Sequence, residues 1–320
     1  MDKRVCVVGA GNWGKNHIKT LNKLGALKGI VESDTKLLAS LSIDYPNVSC
    51  YENVSLALKE DHDGFTIATP AKTHHEIAKK VIMAGKHVLI EKPMTLSVSD
   101  SEELLSLAEK FGVNLMVGHV LLFHPAVIKI KEIIENGSIG ELQYLYSNRL
   151  NLGKVRTEEN VFWSLAPHDI AIFQYLTESY PVSVKAHGSV FLQNGIMDST
   201  ITQLQYENSV EGHIFVSWLH PFKEHRLVVI GSEAMISFED SSKGKPLKLY
   251  SKKIDLESGI PEKIDGPVES IEYDQKMPLT EELAYFVNHL DGTTVEISNG
   301  KHALDVIRIL VTASKQLEED

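Results

Sequence analysis

At 320 residues the chain has room for about two domains. Its 43% hydrophobic and 23% charged content is ordinary for a folded protein and excludes a disordered one. Thirty-two basic against 43 acidic residues give a net charge of −11, which argues against a nucleic-acid partner but leaves room for a local basic pocket that takes a small anion. No apolar run approaches the ~18 residues of a membrane span, and MDKRVCVVGAG lacks the apolar core of a signal peptide. A cytoplasmic location with no membrane partner is therefore expected. The two cysteines, Cys6 and Cys50, cannot form a disulfide framework or a four-cysteine zinc site, and no metal is expected.

In chain order, strands are expected at Arg4–Val8, Leu27–Glu32, Gly64–Ala68, His87–Ile90 and Asn114–Val117, with helices at Trp13–Leu24, Lys36–Ile43, His74–Ala84 and Ser97–Phe111. This alternation implies parallel strands joined by crossover helices. Runs such as VCVV and HVLI are apolar throughout, as strands buried on both faces must be, so Cys6 is expected to be a packed core residue. Beyond Val120 the pattern changes. A helix over Pro125–Asn136 is stopped by Asn136-Gly137. β-rich stretches follow at Leu142–Leu150, Val182–Val190, Thr200–Tyr206, Gly212–Trp218, Arg226–Ile230 and Leu247–Tyr250. Polar turns such as Glu207-Asn208-Ser209 suggest antiparallel neighbours. A helix is expected near Ala166–Leu176, and two more, Leu279–Leu290 and Lys301–Leu317, close the chain. The polar stretch Asp240–Lys276 is expected to form exposed loops. The expected architecture is an α/β Rossmann domain over residues 1–120 and an α+β domain with a large, mostly antiparallel open sheet over residues 121–320, the C-terminal helices packing back on the first domain.

Gly9-Ala10-Gly11-Asn12-Trp13-Gly14 fits G-x-G-x-x-G and lies between a strand and a helix. Glu32, eighteen residues after Gly14, ends the second strand, near the offset expected for the acidic residue that binds the adenosine ribose. Gly9 permits the tight turn, Gly11 lets the backbone approach a pyrophosphate, and Gly14 lets helix and strand pack closely. The helix N-terminus then offers free N–H groups to phosphate. A carboxylate at Glu32 accepts from ribose hydroxyls and repels a 2′-phosphate, so NAD is favoured over NADP, although Lys36 nearby keeps NADP open.

With Ala68-Thr69-Pro70, His74 and Glu91-Lys92-Pro93 beside that fingerprint, the sequence resembles the Gfo/Idh/MocA family over essentially its whole length. The resemblance implies a Rossmann domain, a C-terminal domain that carries the substrate site and often mediates oligomerisation (a homodimer or homotetramer), and cofactor contacts from Gly9, Gly11, Asn12, Trp13, Gly14, Glu32, Thr69, Pro70, His74, Glu91 and Lys92. It places Lys92 beside the nicotinamide and the reacting carbon, where an ammonium stabilises alkoxide character. It also makes His168, in Phe162-Trp163-Ser164-Leu165-Ala166-Pro167-His168-Asp169, the general base. Ser164 stands where the family usually has an aspartate, which weakens an Asp–His relay and leaves His168 with Lys92. Leu121 and Leu122 replace arginines common in relatives. His119, at the expected carboxyl edge of the parallel sheet, is read as a wall of the site.

The run Ser147–Trp163 resembles a subgroup found with nucleotide-sugar modification, including enzymes that oxidise C3 of UDP-linked N-acetylhexosamines or their uronates. Arg149, Lys154 and Arg156 are the expected diphosphate contacts, Trp163 a stacking surface for sugar or uracil, and Ser164 and His168 further substrate contacts. Val216–Lys223 offers a second aromatic and basic cluster. Two alternatives stand beside a UDP-sugar 3-dehydrogenase: a dehydrogenase of free polyol or inositol, and a non-catalytic NAD-binding sensor. The presence of both Lys92 and His168 argues against the sensor.

Overall fold

The computed structural model describes residues 3–319. In the first part of the chain, β1 (Val5–Val8), β2 (Leu27–Val31), β3 (Ser49–Tyr51), β4 (Gly64–Ile67), β5 (His87–Glu91) and β6 (Leu115–Gly118) alternate with α1 (Gly14–Lys23), α2 (Thr35–Asp44), α3 (Val54–Ala57), α4 (His74–Met83) and α5 (Val98–Phe111). All six strands are parallel, in the order β3-β2-β1-β4-β5-β6. β1, β4 and β6 are buried at every position, as a sheet covered on both faces requires. Cys6 is fully buried within β1, and burial raises its thiol far above the ordinary range, so it stays an inert packing group. The order reverses between β1 and β4, the switch point at which open α/β sheets place ligands beyond their carboxyl strand ends.

The second part opens with α6 (Pro125–Glu135), β7 (Leu142–Leu150) and α7 (Val161–Thr177). There follow β8 (Ser183–Ser189), β9 (Ser199–Gln205), β10 (Glu211–Ser217), β11 (Glu224–Gly231), β12 (Met235–Glu239), β13 (Leu247–Tyr250), β14 (Lys253–Asp255), β15 (Glu262–Ile264) and β16 (Val268–Ser270). Eight strands form one sheet, β16-β13-β12-β11-β7-β10-β9-β8, antiparallel except where β10 runs parallel to β7. α7 lies against this sheet. The missing side chain of Gly212 in β10 makes room for the ring of Phe173, which a Cβ would meet at 2.8 Å. The expected exposed loops over Asp240–Lys276 prove partly regular: β14 pairs with β15, and β16 extends the main sheet beside β13. Backbone pairing needs no apolar alternation, so these polar strands left no pattern.

Two helices end the chain, α8 (Pro278–Asn288) and α9 (Gly300–Glu319). The chain forms two compact units: residues up to Phe123 with Lys276–Arg308, and His124–Gln275 with the segment from Ile309 onward. In the first unit the returning segment closes the core beneath β4 and β6. Gly64 sits against Leu290 and Phe286, the Asn114 amide donates to the His289 and Thr293 carbonyls, and the Ser298 hydroxyl donates to the Val117 carbonyl at 2.5 Å. Among the described residues no helix is long and apolar enough to cross a membrane.

Candidate active site

In the first unit the chain leaves β1 at Gly9, whose φ of +92° is open to glycine and strained for other residues. A Cβ on Gly14 would collide with the Gly9 carbonyl, so this position admits no side chain. At Gly11 the space a Cβ would take is open, which leaves bare backbone facing outward. α1 starts at Gly14 with no side-chain cap, and the Lys15 and Asn16 amides donate to the Gly11 and Trp13 carbonyls at 3.1 and 2.8 Å, which tightens the turn. Beside this turn lies a cavity of about 510 Å³ lined by Gly9, Gly11, Glu32, Asn53, Thr69 and Pro70 among others. Glu32 is fixed in its wall: one carboxylate oxygen accepts from the Ala10 amide at 2.8 Å and the other from the Asp34 amide at 3.0 Å. The bare backbone of the glycine turn and a held carboxylate beside the cavity fit a dinucleotide with a free ribose diol.

These contacts carry a prediction. A 2′-phosphate brought against the ionised Glu32 would meet like charge, so NADP(H) is expected to bind more weakly than NAD(H) by roughly tenfold or more. Calorimetric titration checks it, and equal or tighter NADP binding refutes it.

Two expected cofactor ligands turn out to be engaged by the protein itself. His74 is buried, with Nδ1 2.9 Å from the Pro93 carbonyl and Nε2 2.8 Å from the Thr69 carbonyl, and it does not line the cavity. It ties the Thr69-Pro70 turn to the Lys92-Pro93 turn, whose peptide bond is cis. Burial holds its ring below the ordinary histidine range, so a neutral imidazole donates to one of the two carbonyls. Glu91 is likewise buried. It accepts from the Trp13 indole, from His17 Nε2 at 2.7 Å and from the Lys92 amide at 3.2 Å. Asn12 is exposed on the glycine turn, and Trp13, although 42% exposed, directs its indole N–H inward.

Lys92 itself follows β5 and is half-buried. His119, at the end of β6, is buried edge-on against His302, with ring centres 5.7 Å apart. Burial first, then His302 and Lys92, push its pKa well below the ordinary range, so it presents a neutral ring near the lysine.

In the second unit α7 starts earlier than expected. Asn160 caps it by accepting from the Trp163 amide at 3.0 Å, and Pro167 is carried inside the helix. Ser164 and His168 are four residues apart on this helix and therefore share a face; both are half-buried. Asp169 points the other way. Its two oxygens accept from Arg149 Nε at 2.7 Å and Nη2 at 2.9 Å in a fork-to-fork pair, with side-chain exposures of 10% and 4%. The diphosphate role expected of Arg149 is therefore corrected: its guanidinium is buried and already holds a carboxylate. His225 stands beside that guanidinium, and burial followed by the Arg149 charge pushes it down to about 4. Lys154 and Arg156 lie exposed on the connection from β7 into α7, Arg156 with the Glu159 carboxylate 3.7 Å away. The Trp163 indole N–H donates to the Ser314 hydroxyl at 2.8 Å, which anchors the ring to α9.

Sequence reasoning missed His17, Glu282 and His225. His17 and Glu282 sit on helices with no motif around them, and only the fold brings them to Glu91 and its surroundings.

Residues 3–119 match the model of the oxidoreductase family with an NAD-binding Rossmann fold, and residues 127–237 match the GFO/IDH/MocA C-terminal domain. The chain belongs to the Gfo/Idh/MocA family of oxidoreductases. It is 25% identical to UDP-N-acetylglucosamine 3-dehydrogenase of Acidithiobacillus ferrooxidans over 89% of this chain and 88% of the relative. The solved structure of that enzyme superposes with a TM-score of 0.87 at 23% identity, covering 99% of this chain and 97% of the other. The scyllo-inositol 2-dehydrogenase (NAD(+)) of Bacillus subtilis is 29% identical over 73% of this chain and 72% of its own. The similarity to the oxidoreductase YrbE of the same organism, at 28% identity, spans 63% of each chain. This family member thus combines an NAD-binding Rossmann unit with a second unit built on a mostly antiparallel sheet.

Proposed function

We propose that the protein is an NAD-dependent dehydrogenase that oxidises a ring hydroxyl of a nucleotide sugar, namely C3 of a UDP-N-acetylhexosamine or its uronate. The observation that carries this reading is the connection from β7 into α7, which exposes Lys154 and Arg156 immediately before the helix that bears His168. Similarity to a UDP-N-acetylglucosamine 3-dehydrogenase over most of both chains supports the substrate class.

Bound NAD supplies the hydride acceptor. The glycine turn at Gly9 and Gly11 would hold its pyrophosphate and Glu32 its adenosine ribose, with Thr69 and Pro70 forming the wall beside it. His168 has the chemistry of the base that takes the hydroxyl proton as the carbonyl forms, and the Lys92 ammonium that of a donor that stabilises alkoxide character. Lys154 and Arg156 contact the diphosphate. Conversion of the alcohol to a ketone releases two electrons with the hydride and one proton to His168, which balances the step.

Arg156→Ala is then expected to raise KM for UDP-N-acetylglucosamine with a smaller change in kcat, as loss of uniform binding does. His168→Asn lowers kcat instead and removes the rise in rate toward alkaline pH. Both variants would be assayed with UDP-N-acetylglucosamine, its uronate, free inositol and free glucose. Turnover of the free polyols alone, without inhibition by UDP, favours the second reading, a polyol dehydrogenase, to which the similarity to an inositol 2-dehydrogenase lends support.

A further inference from the structure

Glu91 is the last residue of β5, directly before Lys92, and its buried carboxylate is where several elements of the first unit meet. Oε1 accepts from the indole of Trp13, on the glycine turn, and from Nε2 of His17, on α1. Oε2 accepts from the Lys92 backbone amide at 3.2 Å. β6 approaches this carboxylate closely: a Cβ on Gly118 would stand 3.0 Å from Oε2 and 3.1 Å from Oε1, a tight contact that would press on it. The ring of His17 is wholly buried and its Nδ1 has no hydrogen-bond partner. The Nε2–H tautomer answers the carboxylate and leaves only a lone pair unmet on Nδ1. From α8, Glu282 adds a second, fully buried carboxyl whose two oxygens have no hydrogen-bond partner. Burial and the charge of Glu91 push Glu282 well above the ordinary carboxylate range. Glu282 is thus the neutral member of the pair, while the Glu91 oxygens accept from three donors.

We propose that Glu91 is a positioning residue through which the dinucleotide-binding turn aims Lys92. Cofactor seated on Gly9–Gly14 fixes Trp13, Trp13 and His17 fix the carboxylate, and the carboxylate fixes the backbone from which the lysine side chain departs. The inference rests on the dehydrogenase reading for the task of Lys92, while the linkage itself concerns only this chain and NAD.

Glu91→Gln preserves volume but cannot serve both sides. If its carbonyl oxygen meets Trp13 and His17, its NH2 faces the Lys92 N–H; if it turns over, the NH2 faces two other donors. Turnover of UDP-N-acetylglucosamine is expected to fall roughly tenfold in Glu91→Gln, the scale of a small misplacement of a reacting group, with NAD affinity changed far less. Trp13→Phe, at a half-exposed site where folding is not at risk, should give a fall of the same kind. In a Lys92→Met background Glu91→Gln should add almost nothing, because it acts through the lysine. Independently of any substrate, the NMR signal of 13C-methylated Lys92, assigned by its loss in Lys92→Arg, should move further on NAD addition in the wild type than in Glu91→Gln and Trp13→Phe. Losses that multiply with Lys92→Met, or a Lys92 signal that responds to NAD equally in all three proteins, would overturn the proposal. If Lys92→Met leaves turnover intact, the dehydrogenase role of Lys92 fails, and the NMR result still decides the linkage.

Discussion

Lys92→Met is expected to lower turnover by about 10²-fold or more while the affinity for NAD changes little. The expected loss is that of a positioned proton-transfer or polarising group. The elements that fit the dinucleotide are elsewhere on the unit: the bare turn at Gly9–Gly14, the held carboxylate of Glu32 and the cavity wall at Thr69-Pro70. Methionine keeps the length of the side chain and removes its charge and donors, so the deficit should appear in kcat and leave cofactor titrations near wild type. Lys92→Arg tests placement. A planar guanidinium keeps the charge but not the compact geometry of an ammonium, and it should recover only part of the rate. A methionine variant with wild-type kcat would refute the role.

The second large effect concerns stability. Arg149 and Asp169 form a buried, two-pronged ion pair that joins β7 to α7 one residue beyond His168. Removing one partner leaves the other charge in a low-dielectric interior, which costs about 3–5 kcal/mol where such pairs have been broken. Arg149→Met should therefore lower the resistance of the second unit to urea by that order. Replacing both members, Arg149→Met with Asp169→Leu, should restore much of it, because no buried charge is then stranded. A fluorescence-monitored urea titration of the wild type, Arg149→Met, Asp169→Leu and the double replacement gives the coupling directly. If the single and double replacements cost the same, or Arg149→Met costs under about 1 kcal/mol, as exposed pairs do, the pair is not the anchor described.

The parallel sheet was legible because its strands are apolar throughout and its glycine turn obeys a spacing set by backbone geometry. The second sheet was legible in its longer strands and less so at its edges. β12, only five residues long, follows a tight turn after β11, and β14 to β16 pair through backbone groups within a polar stretch. The parallel pairing of β7 with β10 could not be anticipated either, since β8 and β9 intervene in the chain. At the site, motifs located Gly9–Gly14, Glu32, Lys92 and His168 but not the partners of individual side chains. Arg149 reads as a diphosphate contact because its partner lies 20 residues away on a helix, and Glu91 reads as a cofactor ligand although its donors His17 and Trp13 lie 74 and 78 residues earlier. Side-chain ion pairs across the fold leave no periodic trace in one sequence.

The first unit takes its last helical packing from Lys276–Arg308, after the whole of the second unit's sheet has been passed. During synthesis the six parallel strands therefore leave the ribosome well before Phe286, Leu290 and Ser298 arrive to cover β4 and the edge of β6. Until then Gly64 faces a gap and the Val117 carbonyl lacks the hydroxyl that meets it. At ~5–20 residues per second the wait lasts on the order of ten seconds. In that interval the nascent dinucleotide-binding half has an incomplete core, and the sheet of the second unit can form before the first is sealed. The order of assembly is thus set by where α8 and α9 fall in the gene rather than by which half appears first.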